Sequence, residues 1–428
     1  MLQGGLNQFS NTFTSPMESA SLPISTSRRF LTSTVTPEQL LHESDLCVKC
    51  GLCLPHCPTY RITQDEGDSP RGRIALIQAL LCGQLQSTPR LHAHLDRCLG
   101  CRACEKACPS AVQYSRLIDG VRAIRFQQHP AARQWLYRKA LGLLTRPRLL
   151  SIGARLLRLL PRRRSAAPPF LHSRLQRLIG LCPNFSRPTR WQTTYPPAGE
   201  CAGRVALFLG CISRFSDQAA LLSARRLLNR LGWEVIVPPR QGCCGALFQH
   251  AGEPATAQKL NTQNQAAFDD QPFEAILTIA SGCGAHIKEY GALPAPIVDI
   301  SGFLNQHPWP ESIALKPLPQ TVAVHDPCSL QTADAVYPLL NRIPEIELIS
   351  LADNALCCGA GGINLITEPQ MADALLTPKL ASLQHCQATI LLTSNTSCAL
   401  HFAAGIRRAG LEIEVLHPVQ LLERQLRP

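Results

Sequence analysis

Residues 47–58 read CVKCGLCLPHCP, and residues 98–109 read CLGCRACEKACP. Both spell C-x2-C-x2-C-x3-C-P. A short winding loop with a Cys every third residue turns three thiolates inward around one face. The fourth Cys lies beyond the reach of that loop, and the Pro after it turns the chain away. Two such runs, Cys47 to Pro58 and Cys98 to Pro109, fix the chemistry of the N-terminal part before any other segment is considered.

This is the spacing of bacterial two-cluster ferredoxins, in which the fourth Cys of each run ligates the other cluster. The expected sets are therefore Cys47, Cys50, Cys53 and Cys108 for one [4Fe–4S] cubane, and Cys98, Cys101, Cys104 and Cys57 for the other. The competing reading is zinc or disulfides. Structural zinc takes paired C-x2–4-C knuckles, not a tripled run. Cubanes in this layout pass single electrons.

The chain has 428 residues, 45% of them hydrophobic and 17% charged. That is a globular composition with room for two or three domains. No run of about 18 apolar residues occurs, so no membrane-spanning helix is expected. Of the 20 cysteines, 16 fall in metal-ligand clusters, which points to a reducing, cytoplasmic compartment. Residues 1–36 are rich in Ser and Thr and poor in acid. They read as a disordered leader, with an organellar transit peptide as the alternative. Charge is uneven. From Val121 to Gly199 there are 16 Lys plus Arg, while all 30 acidic residues of the chain lie elsewhere.

The expected architecture is α/β with an α-helical ferredoxin domain: a two-cluster [4Fe–4S] unit followed by two duplicated cysteine-rich βαβ-type units. The segments are 1–36 (leader), 37–120 (ferredoxin-like), 121–200 (basic helical connector), 201–315 and 316–428 (the two repeats). Pro70 to Gln84 has apolar residues at helical spacing, which would separate the two cluster loops. Arg71 and Arg73 at its start either face the anionic clusters or are solvated, and Cys82 reads as a small core residue. Trp135 to Leu160 reads as one or two amphipathic helices broken near Pro147.

After Cys201 the pattern repeats. Strand 205–209 ends at Cys211, Cys243-Cys244-Gly245 follows strand 234–237, and Cys283 follows strand 275–280. In the second copy strand 321–325 ends at Cys328, Cys357-Cys358-Gly359 follows strand 345–350, and Cys398 follows strand 389–393. Alternating strands and helices argue for parallel α/β units, and matched Cys positions argue for duplication. Loops beyond the carboxyl ends of parallel strands gather ligands. The candidate metal residues are thus Cys211, Cys243, Cys244 and Cys283, then Cys328, Cys357, Cys358 and Cys398. Clustered soft thiolates select iron–sulfur clusters or zinc; the alternative is a reduced, small-residue core.

The repeat resembles the cysteine-rich "CCG" domain of heterodisulfide reductase. The whole order resembles the iron–sulfur subunit family of bacterial glycolate oxidase, a glycolate dehydrogenase. The stretches that carry the resemblance are Leu46 to Cys53, Cys57 to Tyr60, Pro70 to Arg73, Leu95 to Cys101, Gly242 to Ala246, Ser281 to Ala285, Lys288 to Gly291, and Leu356 to Gly359. Together they span about residues 40–425. There is a departure: the full CCG pattern ends in C-x-x-C, and here Ala280 and Asn395 stand where the first of those Cys would be. His286 and His401, three residues after Cys283 and Cys398, are candidate extra ligands, and His325 is a weaker one.

The resemblance implies an oxidoreductase subunit with no catalytic residue of its own. A partner flavin (FAD) subunit would oxidise glycolate, or D-lactate, to the 2-oxo acid. This chain would pass the electrons to a quinone or another membrane-associated acceptor. No dinucleotide site competes, because Gly359-Ala360-Gly361-Gly362 lacks the G-x-G-x-x-G spacing. Alternatives are the iron–sulfur subunit of a lactate or glycerol-3-phosphate dehydrogenase, or a heterodisulfide-reductase-like reductase. Basic charge without a DNA-reading motif argues against nucleic acid. The acid-free connector, with Arg155, Arg158, Arg162, Arg163, Arg164, Arg174 and Arg177 among leucines, suits peripheral contact of residues 121–190 with the cytoplasmic face of an inner membrane, or docking on acidic partner subunits.

Overall fold

The computed structural model describes residues 36–145, 177, 180, 181, 189–269, 271–289, 293–330 and 333–427. The N-terminal part is helical. Three of its helices start in the same way: a hydroxyl residue caps the end and Pro takes the first turn, where its missing N–H costs nothing. Thr36 precedes Pro37–Asp45 in a capping box with Gln39, Ser69 precedes Pro70–Leu81, and Thr88 precedes Pro89–Asp96. Leu40, Ile74, Ile77, Leu91, Leu95, Leu117 and Ile118 from these helices and from Tyr114–Gln127 form one core. The helix between the two cysteine runs therefore lies where its spacing placed it. It ends at Leu81, however, and Cys82 is its exposed C-cap rather than a core residue.

The two cysteine loops wind alike. Lys49 and Gly51 have φ of 57° and 85°, and Gly100 and Arg102 have φ of 62° and 60°. These residues hold matching places on either side of the middle Cys in each run. Left-handed backbone at both places coils the loop tightly enough to bring successive thiols to one side.

The C-terminal part contains two sheets. The first has strands β1 (Thr194–Tyr195), β2 (Gly203–Phe208), β3 (Trp233–Ile236), β4 (Ala275–Thr278) and β5 (Ile297–Asp299) in the order β1-β3-β2-β4-β5. Only β1 is antiparallel. The second has β6 (Thr321–His325), β7 (Glu347–Ser350), β8 (Ile390–Thr393) and β9 (Glu414–Leu416) in the order β7-β6-β8-β9, all parallel. Leaving β1 aside, the two orders match. Register matches as well: Phe208 pairs with Thr278 in the first sheet, and His325 with Thr393 in the second.

Side chains alternate across a strand, and here the alternation assigns the faces. Val205, Leu207, Val322 and Val324 face one apolar core common to both sheets. Ala206 and Phe208 face the other side of the first sheet, with Cys211, Cys243 and Cys244. Ala323 faces the corresponding side of the second, with Cys358 and Cys398. Each sheet thus has one side for packing against the other repeat and one for its thiols.

Of the basic connector, the helix Ala131–Leu144 is described; Pro147, most of Trp135 to Leu160 beyond Leu144, and Arg155, Arg158, Arg162, Arg163, Arg164 and Arg174 lie outside the described residues. The sequence reading puts Arg177 on a face that contacts a membrane or docks on partner subunits; instead it is paired within its own chain. Its Nη1 lies 2.8 Å from Asp373 Oδ2 with the side chain only 8% exposed, and its Nε donates to the Leu365 carbonyl. The guanidinium ties the connector to the second repeat. Among the described residues no helix is long and apolar enough to cross a membrane.

Candidate metal centres

The loop winding and the helix Pro70–Leu81 leave two cavities side by side. Cys47, Cys50, Cys53 and Cys108 line the first, together with Pro70, Ile74, Val112 and Tyr114. Cys57, Cys98, Cys101 and Cys104 line the second, together with Arg73, Leu99 and Tyr114. Each fourth Cys stands at the cavity of the other run. The walls that the two cavities share, Pro70, Cys104 and Tyr114, are one residue thick.

The donor set suits iron–sulfur clusters. Burial pushes the thiols of Cys53, Cys101 and Cys104 up, so without metal they hold their protons. Bound iron would displace those protons and supply the positive charge a buried thiolate needs. Arg73 is buried in the wall of the second cavity. It donates to the His94 carbonyl (2.6 Å) and Thr59 Oγ1 (3.0 Å) and lies 3.4 Å from Asp68. Asp68 is fully buried and also meets His94 and Arg97, each at 3.0 Å. Arg71 is held at the first cavity by Glu66 (2.6 Å) and donates to the Lys49 carbonyl (3.3 Å). Both arginines therefore border the cavities, and neither is merely a solvated helix-start charge.

In each repeat the four predicted thiols come together. Cys211, Cys243 and Cys244 are buried in one core with Cys283 packed against it, and in the second repeat Cys328 packs with Cys357 and Cys358 with Cys398. Cys358 and Cys398 are 3.3 Å apart. The adjacent cysteines share one site because the glycine after them turns left-handed, with φ of 90° at Gly245 and 89° at Gly359. The thiol hydrogen bond to Cys243 and burial push Cys211 up, and Cys357 and burial do the same to Cys328. Cys101 of the second cavity packs with Cys328, Cys357, Leu99 and Met371 in one cluster.

The histidines fall in a different order from the sequence expectation. His401 is buried with its Nε2 donating to the Ala372 carbonyl at 3.1 Å, and among the described residues it joins no cysteine group. His286 lies edge-on to His250, with ring centroids 6.1 Å apart, rather than among thiols. His325, the weaker candidate, is the one that joins them. Its ligand nitrogen and the sulfurs of Cys358 and Cys398 all lie within 4.8 Å of one another. Sequence spacing favoured His286 and His401 because they are close to a Cys along the chain. His325 reaches Cys358 and Cys398 only through sheet register. Arg73 and Asp68 behind the second cavity were equally hard to pair from sequence.

Two cysteine-lined cavities in a helical domain, joined to paired thiol-bearing α/β repeats, define an iron–sulfur protein. Residues 43–112 match the 4Fe-4S dicluster domain, and residues 205–288 and 322–403 match the cysteine-rich domain. The chain is 31% identical over 410 residues to the probable glycolate oxidase iron-sulfur subunit of Bacillus subtilis, covering 88% of this chain and 92% of that one. It is 33% identical over 405 residues to the glycolate oxidase iron-sulfur subunit of Escherichia coli, covering 89% and 93%. A more distant relative is a component of the dihydromethanophenazine:CoB–CoM heterodisulfide reductase of Methanosarcina barkeri, 22% identical and covering 92% and 97%. The chain belongs to the glycolate oxidase iron–sulfur subunit family.

Proposed function

We propose that this chain is the electron-transfer subunit of a multi-subunit glycolate dehydrogenase. A partner flavin subunit oxidises glycolate to glyoxylate, and two [4Fe–4S] clusters here carry the electrons one at a time toward a quinone. Cys47, Cys50, Cys53 and Cys108 hold one cluster, and Cys98, Cys101, Cys104 and Cys57 the other. The bound clusters supply the one-electron chemistry. The protein's own residues hold them close together, exclude water and offset their negative charge with Arg71 and Arg73.

The observation that carries this reading is the placement of the two cavities. The first reaches the surface: Cys50 is exposed, and Leu46, Val48 and Leu52 stand exposed around it. The second is turned inward, with Cys101 against Cys328 and Cys357. One open end and one enclosed end, with a thin wall between, is the layout of a wire. The apolar rim at the open end suits docking of the flavin subunit. On the connector helix Ala131–Leu144, Trp135, Leu136 and Leu143 are exposed beside Lys139. That basic, apolar surface suits peripheral contact with an anionic membrane, where the quinone is found.

The test is anaerobic co-expression with the flavin subunits. The complex should reduce a quinone analogue with glycolate or D-lactate, and the isolated chain should not. Robust glycolate oxidation by the chain alone would end the subunit reading. Reduction of a disulfide substrate without flavoprotein would favour the heterodisulfide-reductase-like alternative.

A further inference from the structure

The two repeats share strand order and cysteine positions, but their thiol pockets are not equivalent. Register places Phe208 of β2 and His325 of β6 at matching sites, opposite Thr278 and Thr393. Both side chains point to the thiol face by strand alternation. In the first repeat that position is apolar. In the second it is an imidazole, 2% exposed, set edge-on to Phe402. The Nδ1 of His325 lies 3.0 Å from Thr393 Oγ1. Its Nε2 is buried with no hydrogen-bond partner among the described residues. An orphaned buried ring nitrogen is costly, and the ring lies beside soft donors, in the group that His325 forms with Cys358 and Cys398.

A second difference points the same way. The helices Pro254–Phe268 and Pro369–His385 both begin with Pro in the first turn. Ten residues on, the first carries Asn264 and the second Lys379. Asn264 is neutral and fully occupied, accepting from Gly242 N–H (2.8 Å) and donating to the Cys243 carbonyl (2.9 Å). Lys379 is 2% exposed and donates to the Asp353 carbonyl at 3.0 Å, with the Asp353 carboxylate and the thiols of Cys357, Cys358 and Cys398 as its charged or polar surroundings. A buried ammonium is tolerated beside negative charge; Asp353 supplies part of it, and metal-bound thiolates in the second repeat would supply more.

We propose that His325 is a nitrogen ligand of an iron–sulfur centre in the second repeat, with Cys328, Cys357, Cys358 and Cys398, and that the first repeat lacks such a centre. Five donors exceed the four of a structural zinc ion, so the set calls for more than one metal. The fifth donor does not come from position 395. Asn395 caps the following helix through Ser397 N–H (2.9 Å) and donates to Ser281 and Ser329. The Nδ1 contact to Thr393 fixes the ring and leaves Nε2 for metal, the usual division of labour in a ligating histidine.

The inference rests on the reading of the chain as an iron–sulfur electron carrier, and the experiment separates the two. The full chain is purified anaerobically with natural-abundance or 15N-labelled histidine. Iron, sulfide and zinc are measured, and pulsed EPR spectra are recorded. Expected is iron beyond the content of two cubanes, with a signal coupled to a histidine nitrogen. His325→Phe, which installs the first repeat's own residue, should lose that coupling and the extra iron while keeping the ferredoxin signals. His325→Cys should restore the iron without the coupling, which separates ligation from folding. Cys243→Ser should change neither. Coupling that survives His325→Phe, or zinc at this site, overturns the proposal. A chain holding the iron of two cubanes and no more overturns it too, while the electron-carrier reading stands. A chain without iron overturns both.

Discussion

Asp68 is a single side chain on which the wall of the second cavity depends. It meets Arg73 at 3.4 Å and His94 and Arg97 at 3.0 Å each, and its side chain has no exposure. Removing it strands a buried guanidinium, and breaking such a pair costs about 3–5 kcal/mol. We expect Asp68→Ala to lose the Cys98-side cluster first, seen as the loss of one cubane's iron with the Cys47-side signal retained. Asp299 gives a pH-dependent counterpart. It caps the helix Ile300–Gln306 through Ser301 N–H at 2.9 Å, and burial raises its pKa from 3.8 to about 6. Between those values the folded chain holds a proton that the unfolded chain releases. Its contribution to stability is therefore present at low pH and lost as pH rises through about 6. Asp299→Asn keeps the cap and removes the buried charge. The variant should be more stable than the parent at pH 8, by up to about 3 kcal/mol, and the advantage should shrink toward pH 5 in anaerobic urea melts. His94 and Arg97 lie 26 and 29 residues from Asp68, and the burial of Asp299 comes from tertiary packing, which is why the cysteines could be read from the chain and these two acids could not.

At the scale of elements, legibility follows how local the instruction is. The cysteine loops carry theirs within a dozen residues, in spacing and in the residues that take positive φ. The strands that lead to the cysteines are short apolar runs, so β2, β3, β4, β6, β7 and β8 could be read, while the short edge strands β1, β5 and β9, which carry no cysteine, could not. The thiol-bearing turns depend on Gly245 and Gly359 for the same local reason. A Cβ at Gly359 would stand 2.7 Å from the Ala372 carbonyl oxygen, at a φ of 89°. Gly359→Ala should therefore cost at least about 1–2 kcal/mol in backbone strain alone. It should also disperse the second repeat's thiols, so thiol-reactive probes should label Cys357 and Cys358 faster than in the parent. His325 was the hard case, since its place among thiols is set by the pairing of β6 with β8 and not by nearby sequence. The connector was hard for another reason: its charge pattern suits a membrane, a partner or its own chain, and Arg177 takes the last of these.

At the scale of the whole molecule, the question is what holds the cluster domain against the second repeat. Arg61 meets Asp353 at 3.3 Å on the surface, a contact worth little by itself. Asn364 donates to the Asp96 carbonyl at 3.1 Å. Between them the backbone of Gly361 lies so close to the second cysteine loop that a Cβ there would stand 2.4 Å from the Leu99 carbonyl oxygen. Leu99 in turn packs with Cys101, Cys357 and Cys328. The absence of a side chain at position 361 thus sets the distance between the second cavity and the second repeat. Gly361→Ala forces the two backbones apart, and an overpacked contact of this kind costs about 1–3 kcal/mol. Neither thiol set loses a member, so iron content should be unchanged. What should change is communication. In the assembled complex, quinone-analogue reduction should slow while reduction of the clusters by dithionite does not. Magnetic coupling between the Cys98-side cluster and any centre in the second repeat should weaken. Unaltered turnover with a demonstrably opened interface, read from faster amide exchange at residues 99–101 and 361–364, would mean that electrons leave the chain by another face.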